Sequence, residues 1–134
     1  MRFMMLVIPP GYADAAPGTL PDPAAVAAMM QYNKALQEAG VLLALDGLHP
    51  PSMGARVTFD PGGPVVRDGP FAEAKEVVGG YWMIQARDRD EAIAWARRCP
   101  MTHGETLEVR QVQEMEDFSD EIQASLGDFA PGAR

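Results

Sequence analysis

His49 follows Asp46 by three residues, in the run Asp46-Gly47-Leu48-His49-Pro50-Pro51. An imidazole titrates near neutrality, and a nearby carboxylate can orient it and raise its pKa, which suits general acid or base work. The bland alternative is a surface histidine in a proline-rich loop. A second group lies in Arg67-Asp68-Gly69-Pro70-Phe71-Ala72-Glu73-Ala74-Lys75-Glu76 and continues through Gly79-Gly80-Tyr81-Trp82. Arg67 and Lys75 can hold an anionic group, and Lys75 is one of only two lysines, with Lys34. Phe71 and Tyr81 can wall an apolar cleft, Tyr81 adding a hydroxyl for orientation; both can equally be packing residues. Asp68 and Gly69 suit a tight turn, since Asp can bond its own backbone and Gly tolerates positive φ. Pro70 then fixes φ and removes a donor. Asp68 is thus a ligand contact or a turn residue. Together these groups suit cofactor-free acid–base work such as proton transfer, elimination or isomerisation on a small molecule.

Other chemistries lack their residues. His49 and His103 are far apart, with one cysteine and no His-x-x-x-His spacing, so no obligatory metal is expected. His103, before Gly104, reads as a loop histidine. Gly62-Gly63 and Gly79-Gly80 lack the spacing and the Lys-Ser or Lys-Thr of a phosphate loop. No Gly-x-Ser-x-Gly elbow occurs. A net charge of −8 argues against a nucleic-acid surface. Much of that charge sits in Glu114, Glu116, Asp117, Asp120, Glu121 and Asp128, a solvated helix face or tail. Cys99 permits no intrachain disulfide, which fits a reducing, cytoplasmic setting, and it reads as a partly buried structural thiol. The apolar start is cut by Pro9-Pro10-Gly11 and is too short for a membrane span.

The elements that must position these groups follow from the pattern. At 134 residues with 47% hydrophobic content, one domain with a real core is expected. Residues 2–8 read as a central strand, apolar on both faces. Residues 9–22 hold four prolines and two glycines and form a loop. Asp22-Pro23 opens a helix, with Val26, Met29, Met30, Asn33, Leu36 and Gln37 as its stripe and Gly40 as its stop. Residues 41–45 are the next strand. Residues 56–59 and 65–67 pair as a hairpin around Asp60-Pro61-Gly62-Gly63-Pro64. Residues 77–86 form a long strand, 89–98 a second helix capped by Asp88, and 106–112 a half-buried strand. Trp82 and Trp95 read as core. The order predicts a ferredoxin-like α+β domain, βαβ(hairpin)βαβ, with an antiparallel sheet over residues 1–115. An acidic helix or tail, led by Asp117 or Ser119, covers 116–134. Helices on one sheet face leave the other apolar and uncovered, so a homodimer closing a two-sheet α+β barrel is expected.

Several segments together resemble the YCII-related family, in its DGPF branch. They are Ala35-Leu36-Gln37-Glu38-Ala39-Gly40-Val41-Leu42, Gly47-Leu48-His49-Pro50-Pro51, Asp68-Gly69-Pro70-Phe71-Ala72-Glu73 with Lys75-Glu76, and Gly79-Gly80-Tyr81. Asp90-Glu91-Ala92 with Trp95-Ala96, and Glu108-Val109-Arg110, complete the match. The resemblance implies a dimeric ferredoxin-like barrel with a cleft near the dimer interface, and no agreed reaction. It implies a His/Asp acid–base pair in some relatives, and a link of DGPF proteins with alternative sigma factors. This chain departs from that pair: residues 24–37 contain no histidine, and Met29 stands near the position where relatives carry one.

Two readings follow. In the first, the protein binds a small molecule and acts as an acid–base enzyme, with His49 as proton shuttle and Asp46 as its orienter. Arg67, Asp68, Phe71, Lys75 and Tyr81 would hold the substrate. In the second, it is a non-enzymatic ligand-sensing or protein-interaction module whose acidic C-terminus meets a basic regulatory partner.

Overall fold

The computed structural model describes residues 1–127. Its strands are β1 (Arg2–Ile8), β2 (Leu42–Gly47), β3 (Ala55–Asp60), β4 (Gly63–Asp68), β5 (Gly80–Gln85) and β6 (Thr106–Gln111). Its helices are α1 (Pro23–Glu38), α2 (Arg89–Arg97) and α3 (Asp120–Leu126). Four strands make one antiparallel sheet in the order β2-β5-β1-β6, and β3-β4 is a separate hairpin. This is the ferredoxin-like α+β arrangement with the hairpin inserted between its halves.

Local chemistry sets the helix ends. The Asp22 carboxylate accepts from the Ala24 and Ala25 amides at 3.1 and 3.4 Å, and Pro23 sits where no donor is needed. Gly40, at φ 74°, takes the left-handed conformation that lets the chain leave α1 for β2. Asp88 caps α2 by accepting from the Glu91 amide at 2.8 Å.

The buried stripe of α1 differs from the expected one. Tyr32 and Leu36 are buried and Met29 and Asn33 half-buried, while Val26, Met30 and Gln37 are exposed. The helix is turned so that Tyr32, omitted from the expected stripe, faces the sheet. Its ring meets Trp82 edge-on, centroids 5.4 Å apart, and its hydroxyl donates to the Trp95 carbonyl at 2.6 Å. The Trp82 indole N–H donates to Asn33 Oδ1 at 2.7 Å, so the polar atoms of both aromatics are satisfied. Phe3, Met5, Leu36, Ile84, Ala86 and Ala92 complete the core around them.

β1 is apolar along its length, but its two faces are not equal. Phe3 and Met5 are buried under the helices, whereas Met4, Leu6 and Ile8 are half-buried on the opposite face. Cross-strand register puts Met83, Tyr81, Ala44 and Asp46 on that same helix-free face, with Glu108 and Arg110 at its other edge. The long strand expected from residue 77 begins only at Gly80. Gly79 still exchanges bonds with Val7 and Leu48, and Val77 and Val78 leave the sheet.

Beyond β6, Arg2 holds Glu114 through two bonds of 2.7 and 3.1 Å, pulling the Glu114 carboxyl below its usual range. Ser119, rather than Asp117, caps α3, accepting from the Ile122 amide at 3.3 Å. No residue of α3 is buried. Asp128 lies outside the described residues. No helix among them is long and apolar enough to cross a membrane.

Cys99 is half-buried after α2, 3.9 Å from the Met29 sulfur. Burial, aided by Glu105, pushes its thiol up to about 12 from an ordinary 9.0. The folded state therefore keeps the proton longer than the unfolded chain does. Its contribution to stability is complete below the unfolded pKa and is lost as pH rises through the folded one. Urea denaturation from pH 8 to 10 should show a stability loss starting near 9 that is clearly smaller in Cys99→Ala; identical pH profiles would contradict the assignment.

Candidate functional site

An open cleft of about 390 Å³ lies between the 49–56 segment and the 71–78 segment. Pro50, Pro51, Met53, Val77 and Val78 give it apolar walls. Into these are set His49, Arg56, Phe71 and Glu76. The Arg56 guanidinium lies over the Phe71 ring, 4.1 Å from its centroid, a cation–π contact.

The 48–54 segment is held from three sides. Tyr12 donates its hydroxyl to the Leu48 carbonyl at 2.6 Å, with burial raising its pKa. Ser52 Oγ donates to the Ala15 carbonyl at 2.9 Å, tying the segment to the proline-rich loop. On the third side Gly69 N–H donates to the Gly54 carbonyl at 2.9 Å. Pro50 is buried beneath the segment.

Gly69 is needed here for a reason other than the one its turn position suggests. Its φ is not positive. A Cβ there would lie 1.7 Å from the Pro51 carbonyl oxygen and 2.6 Å from its carbon. The Asp-Gly-Pro-Phe turn is thus pressed against the backbone of the histidine-bearing segment, and only a residue without a side chain permits it. Gly80 acts alike in the sheet, where a Cβ would meet the Asp46 carbonyl at 2.8 Å.

Of the residues expected at the site, His49 and Phe71 line the cleft. Asp46 and Tyr81 do not: they sit on the helix-free face of the sheet, where the Tyr81 hydroxyl donates to Asp46 Oδ2 at 2.7 Å. That bond raises the Tyr81 pKa. Among the described residues no hydrogen bond joins Asp46 to His49, because Asp46 points out of the sheet while His49 lies beyond the end of β2. Arg67 is not among the cleft-lining residues; it is on the hairpin, directly opposite Arg56. Asp68 pairs with Ala55 on the other hairpin face. Lys75 is exposed beside Glu76 and is not among the cleft-lining residues, and His103 lies exposed in the turn before β6. Arg56 was not expected at the site, because a loop over residues 60–64 does not set it against Arg67 as the observed register does.

The sequence matches the family model described as the YCII-related domain over residues 1–116. An uncharacterised protein of Rhizobium meliloti (strain 1021) is 40% identical over 60 residues, covering 45% of this chain. The match spans 48% of that relative's length.

Gly69→Ala should destabilise the protein by about 2 kcal/mol or more, because overpacking against backbone cannot be relieved by a rotamer change. Gly62→Ala, with nothing within 4 Å of its Cβ, should be near neutral. Urea denaturation of the two variants checks this, and equal midpoints would refute the close-approach role.

Proposed function

The chain belongs to the YCII-related family, and on that premise we propose that it binds a small cyclic or phenolic metabolite in the cleft and performs cofactor-free acid–base chemistry on it. One observation carries the reading: an open cleft gathers an imidazole, a guanidinium stacked on an aromatic ring and a carboxylate within apolar walls. Its volume falls within the lower part of the range for small-molecule sites, about 300–1,000 Å³. His49 is the proton carrier. Glu76 lines the same cleft and takes the carboxylate role that Asp46 is too far round the sheet to fill. Arg56 supplies the positive charge, and Phe71 the aromatic wall.

On this reading the working unit is a cytoplasmic homodimer, and the Asp68-Gly69-Pro70-Phe71 turn supports membership of the DGPF branch of the family. The support is the helix-free sheet face, where Met4, Leu6, Ile8 and Met83 form a contiguous apolar surface. An apolar sheet face left without helices supports an interface there. A second sheet laid on it would enclose the Tyr81–Asp46 bond. A second functional reading, a regulatory protein-interaction module, draws on α3, which leaves Ile122 and Leu126 exposed beside an acidic first turn.

A thermal-shift panel of phenols, phenolic acids and keto acids tests the binding reading. A ligand at a hundredfold excess over its dissociation constant should add about 2.7 kcal/mol of stability. The effect should shrink in Arg56→Ala, and turnover of an identified substrate should be lost in His49→Ala. Full turnover in His49→Ala would remove its role. No hit, together with loss of co-purifying proteins on deleting residues 117–134, would favour the module instead.

Sedimentation at micromolar concentration should give a dimer, and Leu6→Lys a monomer. A monomeric wild-type protein would overturn the two-sheet barrel.

A further inference from the structure

Arg56 and Arg67 are Cα partners across the β3–β4 hairpin, so their side chains leave the same face. Like charges directly opposite one another in an antiparallel pair repel and destabilise it. Among the described residues, neither arginine has a carboxylate as an ion-pair partner. Glu76 lines the same cleft as Arg56 and makes no ion pair with it. Asp68 is on the opposite hairpin face, and Asp60, on the same face, is four cross-strand pairs away at the turn. In this chain of net charge −8, Arg56 lines the cleft and Arg67, outside the lining, stands next to it across the hairpin, and neither is neutralised by a carboxylate.

The geometry of Arg56 says what the pair would take. One face of its guanidinium is covered by Phe71. The N–H donors in the plane of the group remain, and these suit a carboxylate or phosphate edge-on. We propose that Arg56 and Arg67 form a paired-guanidinium clamp on the hairpin side of the cleft. The clamp takes the oxyanion head of the ligand and favours a doubly charged head, such as a phosphate monoester, over a single carboxylate. The proposal rests on the reading of the cleft as a small-molecule site and adds the ligand's charge to it. The apolar walls then hold the ligand's body, and the cross-strand repulsion is relieved when the anion binds.

Titrations followed by NMR with phenyl phosphate, benzoate and phenol test it, at a pH where the phosphate is a dianion. Wild-type protein should bind them in that order of decreasing affinity. Arg67→Gln should weaken phenyl phosphate about tenfold and benzoate less than about threefold, leaving phenol unchanged. Arg56→Gln should weaken both anions. Arg67→Lys keeps the charge but loses the fork, and should fall between wild type and Arg67→Gln; it carries the test alone if Arg67→Gln does not fold. Phenol binding as tightly as phenyl phosphate, or undiminished phosphate affinity in both Arg67 variants, would overturn the clamp while leaving the cleft reading standing. Failure of all three probes, phenol included, would overturn both.

Discussion

Trp82 is the point at which both halves of the fold are joined. It lies in β5, between β1 and β2, and its indole N–H is bound by Asn33 of α1. Tyr32, one residue earlier in α1, packs edge-on to its ring and donates its own hydroxyl to the backbone of α2. A buried indole or phenol without a partner costs more than its hydrogen bond returns, so this set must form as a whole or not at all. The angle of α1, the docking of α2 and the position of β5 are therefore one constraint. The cleft inherits it, since the chain entering β5 brings Val77 and Val78 to the cleft wall and passes through Gly79 and Gly80 before reaching Trp82.

A second constraint is steric and lies in the backbone. The turn after the hairpin is pressed against Pro51, and the 48–54 segment is bound to the proline-rich loop by Tyr12 and Ser52. His49 is exposed, yet the backbone that carries it is held on three sides. This arrangement, a fixed backbone with a free side chain, suits a residue that must meet a ligand at a set position. The turn motif matters to the site through Gly69, whose missing side chain lets the two segments touch.

Much of the fold was legible because it follows local rules. The Asp22-Pro23 and Asp88 caps, Gly40, the alternation in β6 and the order of elements each have a physical cause within a few residues. The stripe of α1 was legible only in part: apolar spacing favoured Val26 and Met30, whereas Tyr32 is chosen by a polar contact to α2 that no periodicity carries. The site was harder for the same reason. Asp46 and His49 are near in sequence, but a strand sends Asp46 to the sheet face and the chain turns before His49. The hairpin added a parity problem. A loop centred on residues 60–64 would set Arg56 against Asp68, a neutralised pair. The tighter turn, with Asp60 opposite Gly63, sets it against Arg67 and changes the electrostatics of the cleft.

The hairpin packs chiefly on itself, with every residue of β3 exposed and Phe59 at its tip 81% accessible. Its strands share no ladder with the four-stranded sheet and none of its residues belongs to the core. Substitutions along it can therefore accumulate without disturbing the helix–sheet packing that holds the domain together. Its base nevertheless supplies Arg56 to the cleft, so a change there alters the cleft's charge while leaving the core untouched. The charge of the cleft and the stability of the domain are thus set by separate parts of the chain.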